Sequence, residues 1–453
     1  MKLSILPFLL FSLLVVSITI RLEAQDLSSY IEQHAQITDL ETLQLDFSNS
    51  KVAESDLIFF GFIHGCAVPQ ELDFQLLEYF VKQQGLKYYA PEVDYSQAYF
   101  LNRYLQSGEE AILDFVLYFY AKRVPQDAST QLRQKWKKIY ELNRSLAADQ
   151  KLHIIGTDFP SSDIRIAITH LAHLIGDQAT GNEMLDSLKL YENLIVEDRR
   201  IWSGKPAMEI AKKYGGYTMD YVYPIDSKWN FSNRFFDYYL ANQDTVLSIL
   251  KQFDENAADI LNERAKKRED HIFENFKHKI IPLIEQGEQV YANFGYAHIH
   301  QAPIYSRCYL ACKIKEKFPA ITVSSILGLL AKSKALKHWK VKKGGPFTTD
   351  RGLVFNKMEL KGYKTSASYD GHGFFEQLLG VKQLIKASAD KEILLLDLDR
   401  SNSPFAQSPY LVDYKIGGRH TNIDPNSNTL QYFQYVILMQ HSEANVPLNY
   451  QKE

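Results

Sequence analysis

Leu57-Ile58-Phe59-Phe60-Gly61-Phe62-Ile63-His64-Gly65 is an apolar run of strand length, with a histidine three positions after its glycine. Val68-Pro69-Gln70-Glu71-Leu72 then opens a helical pattern. A continuous apolar run is the mark of a strand buried on both faces of a parallel sheet, and such sheets bind ligands beyond their carboxyl ends. His64 is therefore expected in a strand-to-helix turn, where functional side chains concentrate. A single turn histidine is usually structural. Here the unit recurs, because the apolar run from Val290 leads into Asn293-Phe294-Gly295-Tyr296-Ala297-His298.

Outward from this run the chain alternates strand and helix patterns. Pro69 to Gln84 carries Leu72, Phe74, Leu76, Leu77, Phe80 and Val81 at helical spacing and stops at Gly85. Leu86 to Val93 reads as a second strand whose ladder ends at Pro91, and Leu152 to Pro160 reads as a third. Glu288 to Phe294, Ile321 to Leu327, Lys391 to Leu398 and Tyr432 to Met439 read as further strands, and Ile304 to Lys317 as a helix. The fold class is α/β: a mostly parallel central sheet flanked by helices, with a large helical insertion. The expected organisation is one domain over residues 25–453, with the insertion at about 161–286 and a mixed α/β tail from about 335. An aromatic, glycine-containing stretch, Tyr214 to Trp229, interrupts the insertion, and its Tyr214, Tyr217, Tyr221 and Tyr223 are candidates to line a pocket.

Composition narrows the function. The 453 residues, 45% of them hydrophobic, suffice for a sizeable core. A net charge of -3 gives no sign of a nucleic-acid partner, which needs a clustered basic face. Lysines gather at Lys332 to Lys334 and Lys337 to Lys343, read as a solvated loop or an edge strand. Lys2, the apolar Leu3 to Ile20 and Ala24 form a secretory-signal pattern with cleavage near Ala24, so the expected location is exported, periplasmic or secreted. An uncleaved N-terminal anchor is the alternative, and no later stretch is apolar enough to span a membrane. Three cysteines do not make a disulfide framework. Cys308 and Cys312, one turn apart on the expected helix, suit packing or a weak metal pair better than a disulfide. Cys66 lies close to His64 in sequence and is weighed as a nucleophile.

Polar groups at strand ends, His64, Glu92, Asp158 and His298, can converge on one edge of a parallel sheet. On the helix Arg268-Glu269-Asp270-His271-Ile272-Phe273-Glu274-Asn275, the residues Arg268, His271 and Asn275 share one face, with Glu269, Ile272 and Phe273 beside it. The order Gly61-x-x-His64, Glu92, Gly156-Thr157-Asp158, Arg268-Glu269-x-x-Ile272-x-x-Asn275, Gly295-x-x-His298 resembles the erythromycin esterase-like family over residues 57–330. That family looks related to a wider group with TraB/Tiki-type proteins and ChaN-like haem-binding lipoproteins. The resemblance implies that His64 is the general base that activates water, that Glu92 orients or assists it, and that His298 binds or polarises the scissile carbonyl. Arg268 could stabilise the oxyanion. Asp158, Glu269, Asn275 and His300 would support them, His300 sharing a strand face with His298. Two departures stand out: Phe62 follows Gly61 where the family usually has glutamate, and Gly295 and Tyr296 stand where macrolide esterases carry an earlier histidine.

The leading expectation is an exported hydrolase that cleaves an ester or related acyl bond of a small molecule and needs no cofactor. A second is a Tiki-type enzyme with a divalent metal on His64, Glu92 and His298. A third is a binding protein for haem or another flat ligand, suited by 28 Tyr and 26 Phe. A fourth is a degenerate, non-catalytic scaffold.

Overall fold

The computed structural model describes residues 26–123, 126–159, 165–188, 235, 238–261, 268–304, 306–348, 354–368, 376–416, 419–420 and 427–448. The signal pattern of residues 1–24, the aromatic stretch Tyr214 to Trp229 and the glycines at 352, 371, 373, 417 and 418 lie outside them.

In chain order the strands are β1 (Gln36–Thr38), β2 (Leu57–Phe62), β3 (Tyr88–Pro91), β4 (His153–Ile154), β5 (Val290–Gly295), β6 (Val323–Ala331), β7 (Lys334–Thr348) and β8 (Val354–Ala367). They continue with β9 (Glu376–Leu378), β10 (Ile393–Asp397), β11 (Tyr414–Ile416), β12 (Arg419–His420) and β13 (Tyr435–Gln440). The fold is α/β, with an eight-stranded, mostly parallel central sheet and flanking helices.

The chain divides into two compact units. The first comprises Met1–Phe62, Tyr296–Ser333 and Ser368–Ser442. Its strands run in the order β1-β10-β13-β6-β2. β6 pairs in parallel with both β13 and β2, while β10 is antiparallel to β1 and β13. Every residue of β2 is buried, as its continuous apolar run requires. Gly61 has a packing reason, since a Cβ there would stand 2.7 Å from the Ile299 side chain. Phe62 is buried with its ring 5.2 Å from that of Phe60, so this position is an aromatic core contact.

The second unit comprises Ile63–Gly295, Lys334–Ala367 and Glu443–Glu453. Its sheet strands run β5-β3-β4, all parallel. The helix Val68–Gln84 has Pro69 in its first turn and buries Leu72, Leu76, Leu77, Phe80 and Val81. It ends where Gly85 takes a left-handed conformation (φ 72°) and its N–H closes on the last carbonyls. The helix Tyr95–Ser107 starts with a capping box between Asp94 and Gln97. Ser129 caps the helix Thr130–Ser145 by accepting from the Leu132 N–H. The described parts of the expected insertion are helical: Arg165–Ile175, Glu183–Asp186, Gln243–Leu250, Ala257–Leu261, Arg268–Lys279 and Ile281–Glu285.

A buried ionic cluster ties this unit together. Asp73, 1% exposed, accepts from Tyr89 Oη (2.6 Å), Tyr291 Oη (2.7 Å) and Lys135 Nζ (2.7 Å). A buried charge is tolerated when it is paired and hydrogen-bonded, and Asp73 has one cation and two hydroxyl donors, from three separate elements. The Tyr89 and Tyr291 rings stack at 5.5 Å.

Of the two readings of the lysine-rich stretch the edge strand holds: β7 forms a long two-stranded antiparallel hairpin with β8, in which each strand is an edge. Two expectations are corrected. Cys308 and Cys312 form a disulfide. The helix begins only at Leu310, its cap Tyr309 is extended, and Cys308 is thereby free of helical spacing, with a Cα–Cα distance of 5.3 Å to Cys312. His298 and His300 are not on a strand either. Residues Tyr296–Ile299 form a 3-10 turn, and His300 follows it. Among the described residues no helix is long and apolar enough to cross a membrane.

His300, 2% exposed, is a core residue rather than a surface one. Its Nδ1 donates to the Tyr296 carbonyl (3.1 Å), and burial pushes its pKa down to about 4. In the second unit burial likewise pushes His170 down to about 3. The unfolded chain protonates both near pH 6.5, so it binds more protons than the folded chain below that value, and stability is lost as pH falls toward these lowered values. Denaturant unfolding at pH 5 should show about 2 kcal/mol less stability than at pH 7 for each histidine. His300→Gln should remove one such share; an unchanged pH slope in that variant would contradict the assignment.

Candidate active site

His64 lies in the turn between β2 and the helix Val68–Gln84, where the sequence pattern puts it. Gly65 makes that turn with φ 102°, and a Cβ on it would meet the Leu336 carbonyl oxygen at 2.8 Å. The turn is gripped by the chain's C-terminal segment, since Ala67 N–H donates to Glu443 O and Asn445 N–H to Gly65 O.

The carboxylate that orients His64 is Asp127, which is 1% exposed. Its Oδ2 lies 2.6 Å from His64 Nδ1. Its Oδ1 accepts from Gly65 N–H (2.8 Å) and from Asn445 Nδ2 (3.1 Å). With Asp127 accepting, Nδ1 carries the hydrogen, and in the neutral ring Nε2 is the acceptor nitrogen. The His64 side chain is about one-third exposed.

On the far side of the ring, Glu92 Oε2 stands 3.8 Å from Nε2. Glu92 is buried and held from two directions. Its Oε2 accepts from Gly295 N–H (2.8 Å), the glycine of the second Gly-x-x-His unit. Its Oε1 pairs with Arg268 Nη2 (2.5 Å). Arg268 also clamps Asp158 with two bonds, at 2.8 and 2.7 Å. Burial alone would lower the Arg268 pKa, but Asp158 and Glu92 outweigh it and raise the pKa above the ordinary value.

The structure thus brings His64, Glu92, Asp158 and Arg268 together in one unit and adds Asp127 and Asn445. The face predicted for the Arg268 helix is also found. His271 is buried against the Phe159 ring, and Asn275 Nδ2 donates to Thr157 O (2.8 Å). Glu269 sits beside them, half-buried. Arg268 faces two carboxylates, which compensate its charge, so its geometry is that of a clamp on Glu92 and Asp158. His298 and His300 belong to the first unit, where His298 is buried with Tyr309 edge-on at 6.3 Å. Cys66 is no nucleophile here: it is fully buried, and burial first, then Asp127, pushes its thiol up to about 12.

Sequence reasoning missed Asp127 and Asn445. Asp127 stands two residues before the cap Ser129, where an acidic residue reads as an ordinary complement to a helix N-terminus. Asn445 lies in a tail without periodicity.

His64 Nε2 and Glu92 Oε2 are spaced so that both could touch one cation at bonds of roughly 2.0–2.2 Å. Two donors do not complete a site, and among the described residues of this unit no third histidine, cysteine or carboxylate donor joins them.

No protein-family model matches the chain, and no curated protein matches it. Solved structures do. A Bacillus cereus protein aligns at 14% identity and TM-score 0.52, over 94% of this chain and 99% of its own. A succinoglycan biosynthesis protein aligns at 13% identity and TM-score 0.51, over 93% and 98%. A mutant of the erythromycin esterase EreC, in its open conformation, aligns at 11% identity and TM-score 0.49, over 90% and 98%. At such identities the likeness is one of fold and marks a distant structural relationship.

Arg268→Met should leave Glu92 and Asp158 uncompensated. Breaking a fully buried pair costs roughly 3–5 kcal/mol. The Arg268 side chain is 41% exposed, which screens the charges and reduces the loss to about 2 kcal/mol. Denaturant unfolding checks this, and the further change Glu92→Gln in the same chain should cost less than it does alone.

Proposed function

We propose that the chain is a hydrolase that cleaves an ester or related acyl bond of a small molecule with water activated by His64. The observation that carries this reading is the Asp127–His64 pair. A buried carboxylate fixes the tautomer of the neutral ring, so that Nε2 is its basic nitrogen, 3.8 Å from a second carboxylate, on a side chain about one-third exposed.

A water between Nε2 and Glu92 Oε2 would donate one hydrogen to each. As its oxygen attacks the acyl carbon, Nε2 takes the proton, and Asp127 stabilises the imidazolium that forms. The tetrahedral intermediate then expels the alkoxide, which recovers that proton from His64. Ester and water leave as acid and alcohol. Arg268 and Gly295 hold Glu92 in place. The erythromycin esterase-like resemblance agrees with this chemistry, and Phe62, a core residue, takes no part in it.

The test is hydrolysis of activated short-chain esters and of macrolide lactones by the purified chain. His64→Gln should abolish turnover. Asp127→Asn, which gives the ring the wrong tautomer partner, should lower kcat by about 10²–10⁴-fold. A chelator should leave the rate unchanged. Activity lost to a chelator would transfer the water to a metal, and full activity in His64→Gln would end the reading. No turnover, with a visible absorption band on adding haem, would favour the ligand-binding alternative.

A further inference from the structure

The first unit holds a second group of chemically distinctive side chains. Cys308, Cys312 and Glu316 are spaced by four residues and bring their donor atoms within 4.8 Å of one another. Cys312 is buried, Cys308 is half-buried and Glu316 is exposed, so the group opens to solvent at one side. The Cys312 Sγ lies 3.8 Å from Glu316 Oε1. In the present state the two sulfurs are bonded to each other, and a disulfide offers no thiolate to a metal.

We propose that Cys308, Cys312 and Glu316 form a redox-gated site for a thiophilic divalent cation of the zinc class, closed in the disulfide form and opened by two-electron reduction. A phosphine reductant breaks the S–S bond and leaves as the phosphine oxide, with oxygen from water. The two hydrogens of that water end on the cysteines. Binding of the cation then displaces both thiol protons. Two thiolates and one carboxylate supply three of the four positions of a tetrahedral site, and water supplies the fourth. The spacing suits this. Cys312 and Glu316 lie one turn apart on the helix Leu310–Lys317, on the same face, and Cys308 reaches them from the extended segment before it. Lys313, Lys315 and Lys317 fall at other positions of the helix, and Lys315 Nζ is engaged by Gln301 Oε1 at 3.0 Å. Cys66, buried and with its thiol pushed up to about 12, does not compete.

The site has a route to its surroundings. Tyr309, between the two cysteines, is the residue whose ring stands edge-on to His298. Exchange of a disulfide for a metal bridge would act on the segment that carries Tyr309.

The test is titration of the full chain with Co²⁺, with and without prior phosphine reduction. The reduced chain should bind one equivalent with a thiolate-to-cobalt absorption band, and the oxidised chain should show no such band. Cys312→Ser should abolish the band, and Cys66→Ser should leave it intact. Glu316→Gln changes an exposed side chain and keeps both cysteines, so it tests the site without touching the fold. It should weaken binding by about tenfold or more, the scale seen even for outer-shell partners of a metal. Equal cobalt binding before and after reduction, a band that survives Cys312→Ser, or unchanged affinity in Glu316→Gln would each overturn the proposal.

Discussion

Asp127 is the group on which the candidate active site depends. It is a carboxylate with almost no exposure to water, and it is tolerable there only because three donors meet it: His64 Nδ1, the Gly65 N–H and Asn445 Nδ2. Those donors come from a turn and from the end of the chain. The charge thus orders segments that have no regular secondary structure of their own. The same bond that satisfies Asp127 decides which nitrogen of His64 is left for chemistry. A structural need and a chemical one are met by one contact.

Glu92, Arg268 and Asp158 form the complementary half. Each carboxylate lies just past a strand of the second unit, and Arg268, from the helix Arg268–Lys279, bridges them. Gly295 contributes its backbone N–H to Glu92, a role that needs no side chain. The two Gly-x-x-His units therefore differ in what they deliver. The first contributes a histidine ring to this site, and the second contributes a peptide group.

Much of this was legible in the sequence because it follows from periodicity. The run Leu57 to Phe62 could only be a buried strand, and Gly85 could only stop a helix. Strand ends in parallel order suggested that His64, Glu92, Asp158 and His298 would converge; Glu92 stands beside His64, Asp158 is linked to Glu92 through Arg268, and His298 belongs to the first unit, while the spacing of Arg268, His271 and Asn275 gave their common face. What was not legible depends on tertiary contacts without a local signature. Asp127 looks like an ordinary residue near a helix start, and Asn445 sits in an aperiodic tail. The Cys308–Cys312 bond escaped because the helix read from Ile304 begins only at Leu310, six residues later, and leaves Cys308 in an extended segment. His300 was misplaced because a 3-10 turn, rather than a continuing strand, follows Gly295.

The Asp73 cluster has a mechanical meaning. The helix Thr130–Ser145 cannot slide or rotate against the helix Val68–Gln84, which carries Asp73, without drawing the Lys135 ammonium away from a buried anion and stranding both. It behaves as a keyed joint, with two tyrosine hydroxyls as the walls of the keyway. Asp127 precedes that helix by only a few residues. Its position is thus inherited from a charge pair that it does not touch, and the precision of a solvent-facing histidine is set in the dry interior of the protein.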